Sequence, residues 1–167
     1  VSHELNEKND LYISAYLSKD AFNLNSDTLF GYGNRNASLR WKHTYNDKLT
    51  GLISVGHTNY EYQVSSEKDL ARAYTLGFDI YQSFLKAHFN YYFGPKHNLN
   101  FGLNTLHYKL HPGSYLPFTK ESLVEADEIA AEQALESALY VSDAYTITDN
   151  LTLDAGIRFS IYNNLGP

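Results

Sequence analysis

Apolar and polar residues alternate with a period of two along most of the chain. The longest example is residues 151–161, where every odd-numbered residue is Leu, Ala, Ile or Phe and polar residues or glycine stand between them. The same alternation occurs at residues 11–18, 37–42, 85–93 and 98–104. Because successive side chains of a β-strand point to opposite faces, the pattern predicts strands with one apolar and one polar face.

The connections between these segments alternate in length. Short ones at residues 7–10, 46–48, 94–97 and 148–150 contain the turn-favouring residues Asn, Asp, Gly or Pro. Long ones are expected at residues 19–33, 65–70 and 111–136. This arrangement predicts an all-β antiparallel meander of about seven strands, with residues 1–5 as a candidate eighth. Short turns at one end and long loops at the other are typical of a transmembrane β-barrel.

Two segments depart from the pattern. The apolar residues are even-numbered between Tyr74 and Ile80 but odd-numbered between Leu85 and Phe93, so the phase changes near residues 81–84. A β-bulge within one long strand, or a tight turn between two strands, would produce this change, and we favour the bulge. Residues 121–136 are rich in Ala, Leu and Glu, which predicts one short helix in a long loop.

Composition narrows the function classes. The 167 residues include 15 Tyr and 9 Phe but no Cys, which excludes disulfides, thiolate nucleophiles and cysteine-ligated zinc. The net charge of -6 and the lack of a basic stripe argue against nucleic acid as a partner. Mean hydropathy of -0.41 resembles that of a soluble protein, but alternating barrel strands give the same average.

Three stretches of the chain resemble the barrel of TonB-dependent outer-membrane receptors, in particular those of the Bacteroidetes type. They are GNRNASLRWKHTYNDKLTGLISVGHTNYEY, FLKAHFNYYFGPKHNLNFGLN and ALYVSDAYTITDNLTLDAGIRFSIYNNLGP. In the third, an aromatic strand, an Asp-Asn turn and a Leu-x-Leu-x-Ala-Gly-x-Arg-aromatic strand follow one another. The family's barrel has about 22 strands around a plug domain, so the resemblance implies that residues 1–167 are a fragment of a single barrel domain, with the plug and remaining strands absent.

The resemblance also implies a function and its partners. The chain is expected to form part of the barrel wall and extracellular loops of a receptor that imports a nutrient across the outer membrane of a Gram-negative bacterium. Its partners would be outer-membrane lipid, the rest of the barrel and its plug, the TonB complex acting through that plug, and an unidentified nutrient. Neither an enzymatic activity nor a cofactor is implied.

The alternation predicts which side chains face each side of the wall. Residues expected to face the lumen are Arg40, Lys42, Lys86, His88, Asn100, Asn104, Asp154 and Arg158, with Asp143 in the same inward row. Those expected to face lipid are Leu39, Trp41, Phe89, Leu99, Phe101, Leu103, Leu153, Ile157 and Phe159. An acidic extracellular loop is expected to contain Glu121, Glu125, Asp127, Glu128 and Glu132.

Other chemistry is weakly supported by the residues. His107 and His111 are about 13 Å apart on a strand, too far to share a metal ion. The acidic loop lacks the alternating oxygen ligands and central glycine of a calcium loop, which favours a solvated surface. Two alternatives to a receptor stay open: a complete small barrel that serves as an anchor or adhesin, and a barrel enzyme, for which no Gly-x-Ser-x-Gly motif occurs.

Overall fold

The computed structural model describes residues 1–25 and 27–167, which form a single antiparallel sheet. Its strands are β1 (Ser2–Asn6), β2 (Asn9–Asn25), β3 (Thr28–Asn46), β4 (Leu49–Ser66), β5 (Tyr74–Gly94), β6 (His97–Pro117), β7 (Asp127–Glu128), β8 (Glu132–Thr148) and β9 (Leu151–Gly166). A 3-10 turn spans Leu70–Arg72. Within the described residues no helix is long and apolar enough to cross a membrane.

Each long strand pairs with its neighbours along the chain. The spatial order is β1-β2-β3-β4-β5-β6-β8-β9, and the two-residue β7 pairs only with β6. The predicted all-β antiparallel meander is therefore confirmed. In the described part of the chain β1 and β9 each have one partner, so the sheet is open rather than closed on itself.

The connections at one end of the sheet are all two-residue turns, at residues 7–8, 47–48, 95–96 and 149–150. An asparagine at the end of the preceding strand fixes two of them. The Asn6 Oδ1 atom accepts a hydrogen bond from the Lys8 amide at 3.0 Å, and Asn46 Oδ1 accepts one from the Lys48 amide at 2.9 Å. We call this end the turn end and the opposite end the loop end.

The strands extend further toward the loop end than the sequence pattern predicts. The expected long connection at residues 19–33 is instead a hairpin in which β2 and β3 pair from Lys19↔Gly33 to Asn25↔Thr28. Ser26, within that expected connection, lies outside the described residues. Likewise β4 continues to Ser66, and β6 continues to Pro117, well past the predicted start of the third loop at His111. Continued ladder pairing satisfies backbone groups that a loop would leave to solvent.

The predicted helix at residues 121–136 is wrong. Residues 122–126 have no regular structure, Asp127–Glu128 forms β7, and residues from Glu132 onward belong to β8. The Ala- and Leu-rich part of this segment pairs with β6 on one side and β9 on the other. A short helix has a costly nucleus and little stability without packing, so pairing on both edges outweighs the local propensity.

The bulge expected at residues 81–84 is also absent. β5 is one strand, as favoured, and pairs with β4 from Tyr74 to Tyr91 without any register shift. Its register with β6 shifts at two other places, between Gly77 and Asp79, opposite Pro112 and Gly113, and between Tyr92 and Gly94 beside the turn. At residues 81–84 the apolar residues therefore move from one face of the strand to the other, while the alternation of side chains between the two faces continues without a break.

The sheet is a single layer with almost no enclosed core. The buried apolar residues are Val64, Ala73, Ala134 and Ala138, whereas Ile157 on β9 is 76% exposed. An open sheet with so much uncovered apolar surface requires an apolar surrounding or a further partner.

The two connections that follow β4 and β6 contact each other at the loop end. The Ser122 hydroxyl donates to the Ala73 carbonyl at 2.7 Å, and the Leu123 amide donates to the Ala71 carbonyl at 2.9 Å. The Ser122 oxygen also accepts a hydrogen bond from the Val124 amide at 3.2 Å. These contacts hold residues 118–124 against the 3-10 turn.

We expect the substitution Ser122→Ala to loosen this contact without affecting the strands. It removes both hydrogen bonds of the Ser122 hydroxyl, each with a net contribution of about 1 kcal/mol, so the amides of residues 122–124 should exchange at least about fivefold faster. Hydrogen exchange read by mass spectrometry on the full-length protein in detergent measures the change. Ser160→Ala on β9 is the matched control, and equal exchange in the two variants would contradict the prediction.

Candidate functional site: the two faces of the sheet

In the pairing register, odd-numbered residues of each long strand lie opposite odd-numbered residues of its neighbours, and even-numbered residues lie opposite even-numbered ones. Directly opposite residues share a face, and the pairs Leu39↔Val55, Val55↔Leu85 and Leu85↔Thr105 are all odd-numbered. The same parity holds through β8 and β9 and back to β2. We therefore name the two surfaces the odd face and the even face. On β6 the naming applies from His97 to His111, because the register with β5 shifts at Pro112 and Gly113.

The two predicted sets of residues separate by face. The odd face carries Leu39, Trp41, Phe89, Leu99, Phe101, Leu103, Leu153, Ile157 and Phe159. The even face carries Arg40, Lys42, Lys86, His88, Asn100, Asn104, Asp154 and Arg158.

The odd face bears an apolar band at the turn-end half of the sheet, interrupted on β8 by Asp143. On β9 the band covers the odd residues from Leu151 to Ile161, and on β5 it covers those from Leu85 to Phe93. Ten residue steps of β9 measure about 33 Å along the strand, or about 25 Å along the barrel axis at a tilt of about 40°. That height equals the lipid-facing band of an outer-membrane barrel.

Aromatic and histidine rings concentrate on the odd face near the turn end. The rings of His43 and Tyr45 lie 4.4 Å apart edge to face, and those of His97 and Tyr145 are stacked at 4.6 Å. The Trp41 indole donates to Asn9 Oδ1 at 2.9 Å. Amphipathic rings of this kind suit a membrane interface, where one side of the ring is apolar and the other is hydrated.

Asp143 is an exception to the predicted inward row. It pairs with Leu99 and Ala155, which places it on the odd face. Its carboxylate lies 2.6 Å from the His97 ring nitrogen. The position lies inside the apolar band, two residues along β8 from Val141, and pairing with His97 lowers the cost of a carboxylate in apolar surroundings.

The even face at the same level is polar and interconnected. The Lys42 ammonium lies 3.3 Å from the Asp10 carboxylate, and the Arg40 guanidinium lies 5.5 Å from the centre of the Tyr12 ring. Together with Lys86 and Arg158, these two cations form a belt across β3, β5 and β9.

A second polar group lies on the even face of β5, β8 and β9. The His88 ring nitrogen is 2.8 Å from the Tyr140 hydroxyl, and the Arg158 guanidinium lies 5.9 Å from the centre of the Tyr140 ring. Close by, Asn90 donates to Asn100 at 2.9 Å. Hydrogen-bonded side chains of this kind suit a hydrated interior wall.

Toward the loop end the polarities of the two faces exchange. Here the odd face carries Lys19, Arg35, His57, Glu61, Gln63, Asp79 and Lys109, and the even face carries Phe22, Phe30, Tyr32, Tyr60, Tyr62, Val64, Leu76, Phe78, Ile80, Tyr108 and Leu110. Rings on this even surface contact one another, with Tyr62 and Phe78 5.2 Å apart and Phe22 and Phe30 stacked at 5.1 Å. The sequence pattern does not predict this aromatic surface, because Phe22, Phe30 and Tyr32 fall in a segment expected to be a loop and the phase change in β5 is attributed to a bulge.

A cavity of about 560 Å³ opens on the even face within the aromatic region. It is formed by β5, β6, β8 and β9, and its walls include Ile80, Tyr108, Leu110 and Tyr162. Glu132 and Glu136 also line it. The volume lies in the range of small-molecule sites.

The acidic residues predicted for a loop all lie at the loop end and are exposed. Glu121 and Glu125 are in the connection after β6, Asp127 and Glu128 form β7, and Glu132 is the first residue of β8. Among the residues that the structure describes, no group of three or more His, Asp or Glu side chains could hold a metal ion.

Two solved structures share this fold. The chain is similar to BauA, the ferric preacinetobactin receptor from Acinetobacter baumannii, with a TM-score of 0.68 and 11% identity over 94% of this chain and 32% of that one. It is similar to FpvA from P. aeruginosa, solved with heterologous pyoverdines, with a TM-score of 0.56 and 13% identity over 95% of this chain and 31% of that one. The chain thus spans about a third of the length of these proteins.

No curated protein matches the chain by sequence. The family model described as TonB dependent receptor-like, beta-barrel matches residues 4–166, nearly the whole chain. Proteins of this family are receptors and transporters rather than enzymes. The chain therefore belongs to the β-barrel family of TonB-dependent receptors.

Proposed function

We propose that residues 1–167 form one continuous segment of the barrel wall of an outer-membrane receptor that imports a nutrient. The odd face contacts lipid along its apolar band, and the even face lines the lumen. The turn end is periplasmic and the loop end is extracellular, as short turns and long connections are arranged in such barrels. The unpaired edges of β1 and β9 favour a wall segment that pairs with further strands, rather than a complete small barrel, in which these two edges would pair with each other.

The exchange of polarity between the two faces carries this proposal. On β5 it falls between Ser83 and Leu85, although the strand has no bulge there. Where a barrel wall crosses the bilayer, its outer face must be apolar. Where the same wall extends beyond the bilayer into water, its outer face must be polar. Since a membrane-crossing strand needs about 9–11 residues, the 16 to 21 residues of β2–β6, β8 and β9 project beyond the bilayer.

The remaining partners follow from the family. The rest of the barrel would pair with the β1 and β9 edges, and a plug domain inside the lumen would face the polar belt of Arg40, Lys42, Lys86 and Arg158. Energy for import would reach the receptor from the TonB complex through that plug. The acidic residues of the connection after β6 would lie at the extracellular surface.

Single cysteines on β5 of the full-length receptor test the proposal. With a fluorophore attached and the receptor reconstituted in vesicles that contain brominated lipid, the Phe89→Cys label on the odd face should be quenched strongly. The Asp79→Cys label, on the same face and strand but above the band, should escape quenching. The chain itself contains no cysteine, so its own residues add no background.

His88→Cys is the control, because residue 88 neighbours Phe89 but lies on the even face. Its label should be quenched little and should react with a water-soluble thiol reagent. Equal quenching at positions 79, 88 and 89, or stronger quenching at 88 than at 89, would contradict the proposed orientation.

A further inference from the structure

The cavity at the loop end combines apolar walls with negative charge. Ile80 and Leu110 supply the aliphatic part, and Tyr108 and Tyr162 supply aromatic rings. Glu132 is exposed and Glu136 is half-buried. Four different strands contribute these residues, so the cavity exists only in the folded wall.

The charges around the cavity are unbalanced. Among the described residues, neither the Glu132 nor the Glu136 carboxylate lies within 4.0 Å of a Lys, Arg or His nitrogen. The even-face cations Arg40, Lys42, Lys86 and Arg158 have their backbones nearer the turn end by one row of paired residues or more. The Lys86 ammonium reaches back to 5.1 Å from the centre of the Phe84 ring, but Lys86 is not part of the cavity lining. A ligand in the cavity therefore meets two carboxylates and two tyrosine rings, and the lining contains no cationic side chain.

The geometry points to a binding site for a small organic cation with an apolar or planar group. The carboxylates attract the positive charge, the faces of Tyr108 and Tyr162 are negative in their centres, and Ile80 and Leu110 accept the apolar part. An anionic ligand of equal size would lose its hydration against unpaired carboxylates and is disfavoured.

This inference deepens the proposed function, because it assumes that the even face lines the receptor's lumen and names the class of ligand captured there. Tetraphenylphosphonium and tetraphenylborate are suitable probes, since they share one shape and carry opposite charges. Their binding to the full-length receptor in nonionic detergent is measured with ion-selective electrodes, and matched empty micelles provide the blank. We expect saturable binding of the cation and weaker or no binding of the anion.

The double variant Glu132→Gln/Glu136→Gln should bind tetraphenylphosphonium about three- to tenfold more weakly, because it removes both charges and keeps the side-chain volume. Tyr108→Leu, which keeps an apolar wall but removes the ring, should weaken binding about two- to fivefold. Glu128→Gln on β7 removes a negative charge from the same end of the sheet but not from the cavity lining, and it should leave the dissociation constant unchanged.

Three results would overturn the inference: no saturable binding of the cation, equal or tighter binding of tetraphenylborate, or the same dissociation constant in the double variant and Glu128→Gln. The proposed function is judged separately, by the lipid quenching of the labels on β5. A receptor that passes the quenching test and binds no cation refutes only the ligand class. A receptor whose label at position 89 is not quenched refutes the wall orientation, whatever it binds.

Discussion

The substitution Val141→Arg is expected to destabilise the folded receptor in a bilayer by about 2–4 kcal/mol, the cost of an arginine on the lipid face near the midplane. Val141 lies on the odd face of an interior strand, directly opposite Phe101 and Ile157 in the middle of the apolar band. It is already 48% exposed in the sheet. At a valine exposed to water, substitution by arginine changes the free energy of unfolding by only about 0.5 kcal/mol. A much larger loss of stability therefore identifies lipid as the medium around Val141.

Gln63→Arg is the matched control for this prediction. Gln63 is also exposed and lies on the odd face, but it pairs with Gly77, above the band. There arginine should cost at most about 1 kcal/mol, as it does near a barrel's interface with water. The measurement is the free energy of unfolding from urea titrations of receptor folded into phospholipid vesicles. Equal costs at the two positions would contradict the membrane level assigned to the band.

The division of residues between the two faces could be predicted from the sequence because it depends on parity alone. Leu39 and Arg40 lie on opposite faces in any regular strand, whatever their neighbours are. Once several strands are aligned by short turns, their apolar residues fall on one side. The meander and the membership of each face therefore needed no knowledge of long-range contacts.

The polarity exchange could not be resolved from the sequence. A bulge and a change of surroundings both move the apolar residues of β5 from even to odd numbers, and one strand alone does not distinguish them. The pairing with β4 does, because Ile80 lies opposite Tyr60 and Leu85 opposite Val55 without a register shift between them. The cavity was equally hidden, since its walls come from four strands whose alignment only the register defines.

The helix error has a different physical origin. Glu132, Ala134 and Glu136 are good helix formers, and their spacing also fits the even face of a strand. Two paired edges supply backbone hydrogen bonds along the whole of β8, so local propensity does not decide its structure.

The substitution Gly102→Ala is expected to destabilise the wall by about 1–3 kcal/mol, the usual cost of an extra methyl group in a packed site. A methyl group at residue 102 would lie against the backbone oxygen of Ala87 and 2.6 Å from the Tyr140 hydroxyl oxygen. The ring of Tyr140 covers this glycine while its hydroxyl is bonded to His88. The added methyl group therefore requires both Tyr140 and the Ala87 backbone to move, and a displaced Tyr140 loses its hydrogen bond to His88.

Gly77→Ala on β5 is the control, because its methyl group would meet the Ser114 hydroxyl at 3.6 Å, an ordinary contact. It should be neutral or stabilising by about 0.4–1 kcal/mol, since alanine restricts the unfolded chain more than glycine does. A double-mutant cycle of Gly102→Ala with Tyr140→Leu separates the two clashes, using urea titrations in vesicles. If the clash with Tyr140 accounts for the lost stability, Gly102→Ala should be nearly neutral in the Tyr140→Leu background. If the loss of stability is unchanged in that background, it comes from the close approach to the Ala87 backbone. Equal stabilities of Gly102→Ala and Gly77→Ala would refute the tight packing at residue 102.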